Sequence, residues 1–460
     1  MTRFARSGRD RLRFGLAPFH SFTGTRLATS SQNRKFQPFL PRSPARSRDT
    51  EDTMSEFIKI ARQFSQRAVM ETIIQCGPIS RASISKQTGL SKQTVSDVMR
   101  DLESDGWVRE TGRTSGHVGR TAVNYELVPD AAYIVSVDLG GTKVRVAISN
   151  LACQISAEEV APTETASGQA IVDQIAALCW KAVERKGIAR DRIRLAVVGV
   201  PGAPDNATGR VMLAPNIPDF DRMDVAGALE KALGFGVILE NDVNLAVVGE
   251  SWLGNGQGID NLAYIAVGTG IGSGLMVGGN LVHGAAHAAG ELGFLPFGAD
   301  PFDPESLRSG AFERVVASVG IKAAYRNLTG DEVNVPVIFE RAAAGDPSAG
   351  QVLDEVAKYL ARGVGAIAAI ANPQKVIIGG SIGLRPELVE RITRFLPMCF
   401  PYPVDIGVSS LGAWAAIIGG TAIGLEHLHN ALFGADTPAH HLTLPPAETV
   451  NFREAINGAF

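Results

Sequence analysis

The stretch AYIVSVDLGGTKVRVAISN (Ala132–Asn150) returns later in the chain as LAYIAVGTGIGSGLMVGGN (Leu262–Asn280). Each copy is a β-branched run, a glycine turn and a second apolar run, which is the pattern of a hairpin. Around both copies strands alternate with amphipathic helices. The economical reading is a duplicated, two-lobed, mainly α/β body with parallel pairing and a cleft between the lobes. Chance likeness between two β-rich hairpins is the alternative.

A chain of 460 residues is too long for one ordinary core and should form roughly two to four domains. Hydrophobic residues make up 45% and charged residues 20%, as expected of a soluble globular protein. The 50 glycines imply many tight turns. No run of about eighteen uncharged apolar residues occurs, which argues against a membrane span. Cys76, Cys153, Cys179 and Cys399 are isolated from one another, so no metal or redox C-x-x-C spacing exists and a reducing cytoplasm fits. The net charge of −3 hides a basic front: residues 1–50 hold eleven Lys or Arg against Asp10 and Asp49 alone.

Five segments are expected. Residues 1–53 are rich in Arg, Ser and Pro without periodicity and should be disordered, either as a transit-type leader or as translation from an upstream start codon. Residues 54–128 form a DNA-binding head, 129–250 a first lobe, 251–433 a second lobe and 434–460 a tail.

Within the head, RASISKQTGLSKQTVSDVMRDLESDGWVRE (Arg81–Glu110) places a short helix, a turn at Gly89-Leu90 and a second helix capped by Ser91, the layout of a helix-turn-helix. Val95, Val98 and Leu102 must pack inward. Ser91 then stands at the helix start, with Lys92, Gln93, Thr94, Ser96 and Arg100 on or near the outward face, suited to base edges and phosphates in a major groove. The following strands frame a glycine-rich wing with Arg113 and Arg120, suited to phosphates or a minor groove. A small oligomerisation or lid module with a solvated polar face is the alternative.

In the first glycine turn, Gly140 and Gly141 bare backbone N–H groups to an anion, Thr142 adds a hydroxyl and Lys143 a positive charge. Asp138, ending the strand before it, suits Mg²⁺ held through water. Gly268, Thr269 and Gly270 supply a second phosphate turn. Gly379 and Gly380, ending the strand of KVIIGGSIG, offer bare backbone to an adenine or ribose. Between them VILENDVN ends a strand in Glu240-Asn241-Asp242, and Asp242 is placed as a general base for a hydroxyl attacking a phosphoryl group. A lone Asp there also reads as a helix cap.

Taken in order, the winged helix, DLGGTK, GVPG (Gly199–Gly202), APNIP (Ala214–Pro218), ENDVN (Glu240–Asn244), GTGIGSG (Gly268–Gly274), AGELG (Ala289–Gly293) and IIGGS (Ile377–Ser381) resemble the ROK family of repressors, open reading frames and sugar kinases. The likeness runs from Met54 to about Phe433 and is nearest to the branch of xylose and N-acetylglucosamine repressors. It implies an N-terminal winged helix-turn-helix followed by an actin-like, ribonuclease-H-like two-lobed ATPase or sugar kinase fold, a sugar or sugar-phosphate effector in the cleft, operator DNA as partner, and a homodimer or homotetramer. On this resemblance Asn216, Asn241, Asp242 and Glu291 match sugar-contacting positions, Asp242 also matches the kinases' catalytic base, and Glu313 matches a further sugar-binding Glu.

One position departs from the family pattern. Phe294 stands where the family's His would bind both a structural zinc and the sugar, and LPFGADPFDPESLRSGAF lacks the expected cysteines. Thiolate and imidazole make a tetrahedral zinc site, so no zinc is expected, and His283 and His287 read as surface loop residues. The substitution puts sugar kinase activity in question more than sugar binding. ATP and Mg²⁺ remain candidate cofactors because the glycine turns are intact. The function expected is that of a sugar-responsive repressor, with an ATP-dependent sugar kinase, or both activities in one chain, as the rival.

Overall fold

A computed structural model describes residues 48–114, 122–214, 217–433, 444–447 and 450, with side chains at all of these but 48–60, 113, 114 and 433. The expectations for residues 1–47, for the wing tip with Arg120, for Asn216 and for most of the tail lie outside the described residues. The chain divides into two compact units, 1–54 and 55–460. Of the first, only the opening turns of helix α1 (Arg48–Cys76) are described.

The head adds strand β1 (Ile79–Ser80), helices α2 (Arg81–Thr88) and α3 (Lys92–Ser104), and strands β2 (Val108–Thr114) and β3 (Ala122–Leu127). Its local signals act as the sequence indicates. The Ser80 hydroxyl caps α2 and the Ser91 hydroxyl caps α3, while Gly89 ends α2 at φ 72°, a left-handed conformation that glycine adopts without a Cβ penalty. Val95, Val98, Met99 and Leu102 turn one face of α3 into a small core with Val69, Met70 and Ile73 of α1. The three strands pair antiparallel in the order β1-β3-β2.

The first sheet of the body is built from β4 (Tyr133–Leu139), β5 (Lys143–Asn150), β6 (Ile155–Pro162), β7 (Ile193–Val200) and β10 (Gly236–Asn241). Helices α4 (Gly168–Lys186) and α5 (Val225–Leu233) and the small hairpin of β8 (Ala203–Asp205) and β9 (Arg210–Met212) fall between them, and α6 (Asp242–Leu253) follows. The second sheet takes β11 (Leu262–Val267), β12 (Ile271–Val277), β13 (Asn280–Leu281), β14 (Lys375–Gly379) and β15 (Asp405–Val408). Helices α7 (Pro304–Ser309), α8 (Glu313–Val316), α9 (Ser318–Thr329), α10 (Val335–Ala343) and α11 (Pro347–Ala371) precede β14, α12 (Gly380–Gly383) and α13 (Pro386–Phe395) separate β14 from β15, and α14 (Ala415–Phe433) ends the body.

The strand orders are β10-β7-β4-β5-β6 and β13-β12-β11-β14-β15. Numbered within each sheet, both run 3-2-1-4-5 read from the meander edge: an antiparallel meander of three strands with two further strands added in parallel beside the first. The internal echo in the sequence therefore marks the first two strands of two topologically equivalent sheets, the two-lobed actin-like plan. Each sheet carries its own apolar core.

Helix α14 lies in the range expected for the second lobe, yet it packs on β4 and β7 of the first sheet and most extensively on α6. At the outer edge of the first sheet, Asn206 donates from Nδ2 to the Leu239 carbonyl at 2.8 Å and accepts from the Leu239 N–H at 3.0 Å. Its side-chain amide takes the place of a neighbouring strand at that residue. Among the described residues no helix is long and apolar enough to cross a membrane.

Candidate functional site

The two glycine turns meet. In the β4–β5 hairpin the Gly140 N–H donates to the Lys143 carbonyl at 3.0 Å, and the Thr163 hydroxyl holds the Gly140 carbonyl at 2.6 Å, which leaves Gly141, Thr142 and Lys143 exposed. In the β11–β12 hairpin Gly268 donates to Gly270 at 2.9 Å, and the Ser318 N–H at the start of α9 fixes the Gly268 carbonyl at 3.0 Å. A Cβ on Gly141 would lie 3.2 Å from the Thr269 hydroxyl, and one on Gly268 would lie 3.2 Å from the Ser381 hydroxyl. Three segments far apart in sequence thus converge. At the end of β14 a Cβ on Gly379 would run into the Tyr264 ring, and Gly380, at φ 79°, presses against Val267. These glycines permit close packing of β14 on β11.

Beside the turns the acidic residues form a linked series. Asp138, at the end of β4, has its pKa raised to about 6 by burial, with the Arg145 guanidinium pulling the other way. Asp242 is raised to about 7, first by burial and then by the negative charges of Asp138 and Glu291. Burial and the charge of Glu313 raise Glu291, and burial raises Glu313. Asp138, Asp242, Glu291 and Glu313 thus lie near enough in series for each negative charge to disfavour ionisation of the next. A carboxyl poised near neutrality in such a place suits proton abstraction from a hydroxyl.

Each acid is fixed by its element. Asp242 is the first residue of α6, but the helix cap is its neighbour: Asn241 Oδ1 accepts from Val243 N at 2.9 Å and Asn244 N at 3.1 Å, while Asn241 Nδ2 donates to the Gly202 carbonyl at 2.8 Å. Asn241 supplies the cap, and the Asp242 carboxylate shares the Val243 N–H, accepting it through Oδ1 at 2.9 Å. Glu313 Oε2 accepts from Ile271 N at 2.9 Å, and a Cβ on Gly270 would stand 2.6 Å from the same oxygen. Glu313 therefore ties the acid series to the second glycine turn. Glu291 follows Gly290, which adopts φ 87° and whose carbonyl accepts from the Ser273 hydroxyl at 2.7 Å. Phe294 is 37% exposed. Among the described residues no three His, Cys, Asp or Glu side chains are grouped to hold a metal ion.

Sequence reasoning left two features unassigned. Glu240 Oε2 contacts His283 Nε2 at 2.8 Å, and Glu240 Oε1 accepts from Asn241 N at 2.8 Å and Asn244 Nδ2 at 2.9 Å. The His283 expected on the surface is 39% exposed and joined to this carboxylate, whose hydrogen bond raises its pKa. In the head, Lys92, Gln93 and Arg100 are exposed and Thr94 and Ser96 half-buried. Asp97 orients two of them, accepting from Gln93 Nε2 at 3.0 Å and pairing with Arg100 at 3.2 Å.

Comparisons with known proteins bear on both the head and the body. A winged helix-turn-helix DNA-binding profile matches residues 65–109. The chain is 28% identical over 379 residues to the xylose repressor of Caldicellulosiruptor bescii, covering 78% of this chain and 95% of the repressor. It is 31% identical over 313 residues to a glucokinase of Halalkalibacterium halodurans, covering 63% of this chain and 93% of the kinase. In fold it is similar to a crystallised ROK family transcriptional regulator, a homolog of the E. coli MLC protein, with a TM-score of 0.67 over 81% of this chain and 98% of that one at 22% identity. The ROK family profile itself matches residues 134–426, and with both glycine turns and the acid series inside that span, the chain belongs to the ROK family.

Proposed function

We propose that the protein is a sugar-responsive transcriptional repressor. The head grips an operator through α3, and a polyhydroxylated effector, a sugar or sugar phosphate, binds among Asn241, Asp242, Glu291 and Glu313 and weakens that grip. The observation that carries this reading is one chain holding both a capped recognition helix with an exposed polar face and the acid series. The xylose repressor aligns over nearly its whole length, head included, whereas the glucokinase aligns over a span the size of the body alone. Carboxylates and amides suit a polyol, and Phe294 replaces the missing His by stacking on an apolar sugar face. A homodimer or homotetramer is part of the proposal, because paired heads read paired half-sites.

A duplex selected by the protein from random-sequence DNA, followed by fluorescence anisotropy, tests it. Expected are salt-sensitive binding and a weaker complex in the presence of one of D-xylose, D-glucose, N-acetyl-D-glucosamine or N-acetyl-D-glucosamine 6-phosphate. Binding indifferent to every sugar and sugar phosphate would overturn the reading.

A second reading, ATP-dependent phosphorylation of a sugar hydroxyl, is favoured by the Asp242 carboxyl near neutrality and by the paired turns. ATP with Mg²⁺ would supply the phosphoryl group. The exposed Gly141–Lys143 turn and the Gly268–Gly270 turn fit phosphates, and Asp138 fits water-mediated contact with the ion. Turnover with ATP, Mg²⁺ and a hexose, lost in Asp242→Ala, would promote this reading.

A further inference from the structure

Resting on the repressor reading, we propose that α14 is the mechanical link between the two sites. It takes up a displacement of α6, whose first residue is Asp242, and delivers it to the head through the apolar seam between its own distal end and α1.

At its start α14 is locked to α6 without side-chain slack. A Cβ on Gly249 of α6 would overlap the Ala415 carbonyl oxygen, and a Cβ on Gly419 of α14 would overlap the Leu245 carbonyl oxygen. Backbones in such contact shift together, because packed interiors transmit displacement more readily than they absorb it. In its middle α14 is keyed to the first sheet: the Thr421 hydroxyl lies 3.0 Å from that of Ser136 and 3.1 Å from that of Ser149, and a Cβ on Gly424 would stand 2.6 Å from the Ile134 side chain.

At its distal end Leu425, Leu428 and Leu432 meet Met70 and Ile74 of α1 and Trp107 of the head around a cavity of about 30 Å³. That is room for about one water and none for an effector, so the seam is a joint between packed surfaces. Its charged rim belongs to the same two helices, with Arg67 and Glu71 of α1 acting on His429 of α14 and Arg67 acting on Glu426. The end of α6 also reaches this region, where the Trp252 indole donates to the Pro445 carbonyl at 3.1 Å. The covalent route runs through residues 128–132, where the Leu151 N–H holds the Pro129 carbonyl at 2.9 Å. It is the competing path.

Coupling of this kind is a free energy and is measured as a ratio. DNA affinity is determined on the full chain with and without the four sugars named above. In the wild type, the active sugar weakens DNA binding tenfold or more. In Leu428→Ala, and in the milder Leu432→Ala at the more exposed rim, that ratio falls below threefold. DNA affinity without sugar, and the rise in melting temperature that the sugar causes, both stay within the wild-type range. Val356→Ala, in the separate core of the second lobe, keeps the full ratio. An undiminished ratio in both seam variants overturns the link through α14 and passes the role to the 128–132 connection, with the repressor reading intact. A wild-type ratio of one for every sugar overturns the repressor reading and this link with it.

Discussion

His283 Nε2 lies 2.8 Å from Glu240 Oε2, so the loop that leads from the second sheet to Glu291 is tied to the last strand of the first sheet, two residues before Asp242. The hydrogen bond to Glu240 raises the His283 pKa, against partial burial that lowers it. A raised base stabilises the fold below its unfolded pKa of about 6.5 and loses that contribution as pH rises through the folded value. Urea denaturation should therefore show wild type exceeding His283→Gln by about 0.5–1 kcal/mol near pH 6, a figure reduced because the imidazole is partly solvated, with the gap narrowing toward pH 9. A gap that does not change with pH would remove the charge-assisted part of the contact.

Asp242 carries the opposite sign. Its carboxyl, raised from 3.8 to about 7 by burial and by Asp138 and Glu291, favours the fold while protonated and opposes it once ionised. Asp242→Asn should melt near the wild-type temperature at pH 4 and above it at pH 8. At ~1.4 kcal/mol per pH unit the ceiling on the gain is about 4 kcal/mol, and water reaching the group brings the expectation to roughly 1–3 kcal/mol. Calorimetry across that range decides it, and a gain already present at pH 4 would count against the ionisation argument.

In the head, Arg100 is exposed and balanced by Asp97. Arg100→Ala should weaken binding to all duplexes alike and lower the slope of log affinity against log salt by about 1. Gln93→Ala should cost about 1–3 kcal/mol on the selected duplex and little on random DNA, the mark of a base-edge contact. Anisotropy titrations at several salt concentrations separate the two patterns.

His429, at the seam between α14 and α1, has its pKa lowered to about 4, chiefly by burial. A buried neutral base destabilises the fold as pH falls from the unfolded value near 6.5 toward 4. Wild-type stability should fall across this window by about 2–3 kcal/mol more than that of His429→Leu. Equal acid limbs in the two proteins would place the imidazole in contact with water.

Much of this was legible in the sequence where the signal is local. Ser91 caps the recognition helix because a hydroxyl before an amphipathic run has amide donors to satisfy, and Val95, Val98 and Leu102 fall inward by helical period alone. The echo between Ala132–Asn150 and Leu262–Asn280 marked two equivalent hairpins. The return of α14 to the first sheet was not legible, since AAIIGGTAIG is apolar on every side and its glycines do not name the backbone they will touch. Nor was the Glu240–His283 pair, whose members are joined only by the meeting of the two lobes. Asp242 was legible as a candidate base, with a helix cap as the alternative, and only the structure shows Asn241 as the cap with Asp242 sharing the Val243 N–H.

The amide of Asn206 has a consequence for assembly. By occupying both hydrogen-bonding groups of Leu239, while Glu230 takes the Val237 N–H at 3.2 Å, it leaves β10 little to offer another chain. Exposed sheet margins are where proteins recruit stray strands and begin to form fibrils. Here that margin is blunted from within, so β10 is a poor edge for lengthening the ladder with a strand from another molecule.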